Sequence, residues 1–319
     1  MNIFMACPAP TGSRHGNRVT AERWARILRS LGHQLTISNK YSDSPCDLMV
    51  ALHARKSYPA IARYRKRYPN GPLIIALTGT DLYGDIRTSK RAQKSLELAD
   101  RLIVLQPCGK AELPAHLRKK VRIIYQSVEP MHRNSIKSER WFDVCVLGHL
   151  REVKDPFRAA EALPMLPDSS RVRIIQVGKA MNAKMAWRAM ALAKEEPRYR
   201  WYGEVSRIQA RRILGRSRLL VLSSVMEGGA NVLSEATVAG VPVLASRIPG
   251  NIGLLGGRYS GYFPVGDTRA LARLLHRAEK DTFYYQRLTS WCAQRKPLFD
   301  PDREQAAWAG LLGEIRGNC

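Results

Sequence analysis

Two glutamates eight positions apart, Glu227 and Glu235, bracket the glycine pair Gly228-Gly229 in a segment running from Met226 to Gly240. The glycines let the backbone turn tightly and approach a ligand. Just after them, at Ala230 and Asn231, a helix begins, and its free N–H groups favour a phosphate or diphosphate. Both carboxylates cannot sit on a phosphate without repulsion. They suit hydroxyls at the two ends of a nucleotide sugar, with Glu227 on the sugar and Glu235 on the ribose. Without the glycines and the apolar runs on either side, the same pair would read as solvent-facing glutamates around a helix cap.

A second group lies at Gly148-His149-Leu150-Arg151-Glu152-Val153-Lys154. There an apolar run ends in glycine just ahead of two cations. Arg151 and Lys154 could neutralise a diphosphate and stabilise a nucleotide leaving group, Lys154 being the stronger choice. Near the start, Gly12 and Gly16 permit a loop that hugs a ligand, with donors from Arg14, His15, Asn17 and Arg18. The glycines lie four apart, so the dinucleotide fingerprint is absent. That loop serves either as a structural turn or as an acceptor- or phosphate-contacting loop. Thr78, Thr80 and Asp81 follow another apolar run and either reach the same site or, for Asp81, cap the local turn. His53 closes a further apolar run, with Arg55 and Lys56 beside it, although a lone histidine is more often structural.

These residues sit where strands end. Short apolar runs predict strands over 3–6, 35–38, 48–52, 73–77, 102–105 and 121–125. Helical spacing over 19–31 places Trp24, Ile27, Leu28 and Leu31 on one face, and helices are expected over 60–68 and 89–99. A polar stretch at 129–140 marks a boundary, after which strands are expected over 142–147, 172–177, 199–202, 219–222 and 241–244. Asp267 should cap a helix over 268–280. The alternation predicts α/β architecture, with mainly parallel sheets covered on both faces. Domains are expected over 1–130 and 131–290, with a helical tail over 291–319 that could pack back on the first. Two such sheets facing each other would leave a crevice at the carboxyl ends of their strands.

The 319 residues allow two cores, and the formal charge of +25 comes from 52 basic and 27 acidic residues. The basic residues are spread along the chain without an aromatic-basic repeat or zinc-finger spacing, which argues against specific nucleic-acid binding. No apolar run approaches the roughly 20 residues that cross a bilayer. The first residues lack the pattern of a signal peptide. Six scattered cysteines form no CxxC pair, which suggests reduced thiols in a cytoplasmic protein and no metal site.

Across nearly its whole length the chain resembles the two-domain glycosyltransferases of the glycogen-synthase-like superfamily. Glu227 and Glu235 match that family's Glu-seven-residues-Glu pattern. Gly148, His149, Leu150 and Lys154 match its Gly-Arg-Leu…Lys pattern, with His149 at the arginine position and Arg151 two residues on. The resemblance implies a GT-B fold of two Rossmann-like domains, with a UDP-sugar as donor and no further cofactor. Gly16 to Ala25, Leu52 to Arg55, Ala76 to Tyr83 and Gly148 to Arg151 are similar to the selenosugar synthases of bacterial selenoneine biosynthesis. What this implies is transfer of N-acetylglucosamine, or a related hexose, from its UDP derivative to the selenium of selenophosphate. The acceptor would be held by Gly12, Arg14, His15, Gly16, Asn17, Arg18, His53, Arg55, Thr78, Thr80 and Asp81. Related enzymes carry His-Gly-Thr-Asp where this chain has Thr78-Gly-Thr-Asp. An anionic selenium nucleophile needs a general base less than a hydroxyl does. The alternatives are a hydroxyl acceptor, such as a lipid at an anionic membrane, and a non-enzymatic polyanion-binding protein.

Overall fold

A computed structural model describes residues 1–13, 15–130 and 136–317, and the chain divides into two compact units. The first comprises Met1–Ser127 with Asp300–Cys319, and the second Val128–Phe299.

The first unit holds strands β1 (Asn2–Ala6), β2 (Gln34–Ser38), β3 (Leu48–Leu52), β4 (Leu73–Leu77), β5 (Arg101–Val104) and β6 (Val121–Ile123). They form one parallel sheet in the order β2-β1-β3-β4-β5-β6. The central strands Leu-Met-Val-Ala-Leu and Leu-Ile-Ile-Ala-Leu are buried at every position, as apolar runs covered on both faces should be. One face carries the helix Gly16–Ser30, whose Trp24 and Leu28 pack with β1, β3 and Trp308 of the helix Pro301–Arg316. Trp24 and Trp308 meet edge to face with ring centroids 5.0 Å apart. The opposite face is covered by the helices Tyr58–Arg67 and Lys90–Leu98.

The second unit holds β7 (Phe142–Leu147), β8 (Val172–Val177), β9 (Tyr199–Trp201), β10 (Leu219–Leu222), β11 (Val243–Ser246) and β12 (Tyr262–Phe263). Its parallel sheet runs β12-β11-β10-β7-β8-β9, so the chain builds outward from β7 on one side and then from β10 on the other. Asp267 Oδ1 accepts from the Ala270 N–H at 2.8 Å and caps the helix Thr268–Lys280.

The expected tail over 291–319 is divided between the two units. Helix Thr282–Arg295 stays with the second, where Trp291 Nε1 donates to the Leu255 carbonyl at 2.6 Å. Only from Asp300 onward does the chain return to the first. The two-residue strand β12 and the helix Pro249–Leu255 are too short to leave a periodic signal. The five described cysteines are unpaired. Among the described residues, no helix is long and apolar enough to cross a membrane.

Candidate functional site

In the second unit the strand order reverses between β7 and β10, which pair side by side. Connections leave the two strands in opposite directions, and ligands bind at the carboxyl ends beside such a switch point. After β7 comes the Gly148–Lys154 loop, and after β10 comes the loop carrying Glu227. The Val225 N–H donates to the Val153 carbonyl at 2.9 Å, and Ser223 Oγ donates to the Asp155 carbonyl at 2.7 Å. Asp155 adopts a left-handed backbone with φ of 43°, a costly conformation for a non-glycine residue. Besides Ser223, Arg158 holds it through its carboxylate at 2.7 Å.

This stitching brings Lys154 Nζ onto Glu227 Oε1 as an ion pair. Ser224 Oγ donates to the same oxygen at 2.6 Å. Glu227 is buried, and its Oε2 accepts no hydrogen bond among the described residues. One carboxylate oxygen is thus fixed and the other is left for a ligand. The helix Asn231–Ala239 follows with Ala230 at its N-cap, and no side chain caps it. Its positive end is therefore offered to an anion just beyond Gly228 and Gly229. Glu235 lies farther along that helix and pairs with Arg207 Nη2 at 3.6 Å. His149 is half-buried and Arg151 is exposed, and Arg151 forms no ion pair among the described residues. Their loop is pressed from behind by Gly178, where a Cβ would overlap the Gly148 carbonyl.

In the first unit the order reverses between β1 and β3. The loop after β1, with Gly12 at φ of 76°, leads into the helix whose N-cap is His15. Thr78 Oγ1, after β4, donates to Asn17 Oδ1 at 2.6 Å, so these two predicted acceptor residues meet. Thr80 is exposed. Arg18 is nearly buried, and its Nε donates to Glu22 Oε1 at 2.6 Å, which ties the guanidinium to its own helix. Arg14 lies outside the described residues.

Of the two roles open to Asp81, the structure shows the cap of the local turn. Asp81 is fully buried; Oδ2 accepts from the Ala54 N–H at 3.1 Å and Oδ1 from the Gly79 N–H at 2.9 Å. The carboxylate therefore ties the loop after β4 to the turn after β3, and its burial keeps it from the surface. Asp81–Asp85 forms a π-type turn, a form often found at functional sites. It sets both of its end carboxylates against His53: Asp81 Oδ2 lies 3.9 Å from Nδ1 and Asp85 Oδ2 lies 3.7 Å from Nε2. His53 has φ of 71° and is buried, and Arg55 Nε sits 2.9 Å from Asp85 Oδ2.

Burial lowers the pKa of His53, opposed by Asp81 and Asp85 and assisted by Lys56 and Arg55. A histidine with a depressed folded pKa takes up its proton more readily when unfolded. Its contribution is therefore whole above the ordinary value of 6.5 and is lost as pH falls from there toward the folded pKa. Thermal melting from pH 8 to 5 should fall more steeply for the wild type than for His53→Gln. Parallel curves would contradict the assignment.

A family model described as "Glycosyl transferases group 1" matches residues 127–291, more than half of the chain. The chain belongs to the group 1 glycosyl transferases. The match spans both loops at the β7/β10 switch point and the Glu227-to-Glu235 segment. Glycosyltransferase 1 domain-containing protein 1 of Xenopus tropicalis is 24% identical over 280 residues, covering 79% of this chain and 80% of that protein. Among solved structures, sucrose-phosphate synthase from Thermosynechococcus elongatus superposes with a TM-score of 0.80 at 14% identity, covering 100% of this chain and 99% of that one. HepE of Anabaena, in complex with UDP and glucose, gives 0.75 at 16% identity, over 98% and 100% of the two chains. These likenesses establish the two-Rossmann-domain GT-B fold of this glycosyl transferase.

Several residues around the site carried no sequence signal. Ser224 is a common type three positions before Glu227, and Arg207 reaches Glu235 only through the fold. Asp85 was findable, since it lies four positions after Asp81 and one turn away. Gly250 follows a proline right after a strand, a usual helix start. In the structure, a Cβ there would overlap the Glu227 carbonyl.

Proposed function

We propose that this glycosyl transferase takes a hexose, N-acetylglucosamine or a relative, from a UDP-sugar, and that selenophosphate is its acceptor. The observation that carries the donor half is the Lys154–Glu227 pair at the β7/β10 switch point, beside an uncapped helix start. Lys154 and the helix N–H groups would neutralise the diphosphate as UDP departs. Glu227 would hold a sugar hydroxyl through Oε2, and Glu235 would hold the ribose. UDP in the HepE complexes, at 16% identity, is consistent with this donor.

The selenium acceptor rests on the first-half motifs, of which Asn17 and Thr78 are hydrogen-bonded to each other. In the reaction, selenium bonds to the sugar's anomeric carbon as the carbon–oxygen bond to UDP breaks. Water then splits the selenium–phosphorus bond, so that the products are a 1-selenosugar, UDP and phosphate. No separate cofactor or metal enters this scheme.

The compared proteins speak instead for a hydroxyl acceptor. They include sucrose-phosphate synthase and a pneumococcal O-GlcNAc transferase complexed with UDP and GlcNAc. Purified protein supplied with UDP-N-acetylglucosamine should release UDP with selenophosphate and remain silent with thiophosphate and with sugar or lipid hydroxyls. Turnover with a hydroxyl acceptor alone would establish the second reading. Binding of polyanions without any turnover would remove both.

A further inference from the structure

Behind Glu227 lies a chain of buried polar groups that the substrate would not touch. Asn251 Nδ2 donates to the Ser246 carbonyl at 2.9 Å and lies 3.3 Å from Ser246 Oγ. Ser246 Oγ in turn donates to the Ser224 carbonyl at 2.5 Å, and Ser224 Oγ donates to Glu227 Oε1 at 2.6 Å. Ser224, Ser246 and Asn251 are all buried. Gly250, next to Asn251, adds a steric stop, because its missing side chain is what admits the Glu227 carbonyl. The end of β11 and the start of the Pro249–Leu255 helix therefore grip the Glu227 loop twice, once by hydrogen bonds and once by backbone contact.

We propose that Ser246 and Asn251 are positioning residues for Glu227, with Gly250 as the stop that completes the clamp. The inference rests on Glu227 contacting the sugar, as proposed above. A buried hydroxyl that merely satisfied its neighbours would not need to end on a carboxylate oxygen already shared with Lys154. By fixing the Ser224 carbonyl, Ser246 fixes the residue whose hydroxyl orients Oε1, and so sets where Oε2 points. On the reading proposed above, the donor diphosphate is held by Lys154 and the helix start and not by Ser246 or Asn251, so the clamp should govern turnover and leave nucleotide affinity alone.

The test compares Ser246→Ala, Gly250→Ala and Glu227→Gln, with Ser246→Ala also made in the Glu227→Gln background. Turnover with a UDP-sugar, UDP affinity by calorimetry and thermal melting are read for each. Ser246→Ala is expected to lower kcat about tenfold or more, as small misplacements of a reacting group do. UDP affinity should stay unchanged, and the same substitution should cost nothing further once Glu227 is glutamine. Wild-type kcat in Ser246→Ala, or an equal further loss in the Glu227→Gln background, overturns the clamp. Should Ser246→Ala fail to fold, Gly250→Ala decides by the same two readings. Full activity of Glu227→Gln would overturn the functional reading beneath. A normal Ser246→Ala beside a crippled Glu227→Gln would overturn the clamp alone.

Discussion

Glu227→Gln is expected to slow sugar transfer by about a hundred- to a thousandfold, as loss of a preorganised polar contact at a reacting centre does. The amide keeps the shape of the carboxylate but removes its charge, so the pull on Lys154 weakens at the same moment as the hold on the sugar. Ser224 still finds an oxygen, which leaves the loop in place. UDP should therefore bind with little change while kcat falls. Lys154→Ala acts from the other side. It leaves Glu227 charged and buried without its cation, and removes a charge from the diphosphate, so UDP affinity should fall together with kcat. Because the two side chains share one contact, the double variant should lose much less than the sum of the singles. Steady-state turnover set beside calorimetric UDP binding separates these effects. Near-normal kcat in Glu227→Gln would remove Glu227 from the chemistry.

The fold was legible where one strong signal acted alone. Runs such as Leu73–Leu77 have no polar residue to place on a solvent face, so they read at once as central parallel strands. The Asp267 cap and the start of the second series at Phe142 followed from local chemistry. Other features depended on partners remote in sequence. Nothing local distinguishes Trp291 from Trp308, yet one packs in the second unit and the other against Trp24 in the first.

The site was legible to the level of loops and less so to the level of atoms. Spacing put Glu227 and Lys154 each after a strand, but the two lie 73 residues apart in the chain and meet only because β7 and β10 are neighbours. Asp81 shows the reverse case. A carboxylate in a Thr-Gly-Thr-Asp turn suggests a ligand, whereas the backbone N–H groups of Gly79 and Ala54 take both oxygens. Backbone donors carry no side-chain signature, so such a satisfied carboxylate looks in sequence like a free one.

The largest loss of stability is expected from Glu304→Ala, in the helix that returns to the first unit. Glu304 is buried, with Oε1 accepting from Trp24 Nε1 at 2.7 Å. Oε2 accepts from the N–H of Ser127 at 2.8 Å and from its hydroxyl at 2.5 Å, and Arg23 Nε lies 3.4 Å away. Ser127 is the last residue before the chain leaves this unit, and Asp300 is the first on its return. One carboxylate thus joins the outgoing segment, the returning helix and the helix Gly16–Ser30. Alanine would leave three donors without this acceptor and take the carboxylate away from Arg23. Removing one partner of such a buried charged group costs about 3–5 kcal/mol. Glutamine should cost less, because its carbonyl oxygen still serves one side while its amide meets a donor on the other. Urea unfolding should show the effect selectively: the transition of the first unit shifts to lower urea, and that of the second stays in place. Equal shifts in both transitions, or a loss below about 1 kcal/mol, within the range of an ordinary single hydrogen bond, would show that Glu304 does not join these segments.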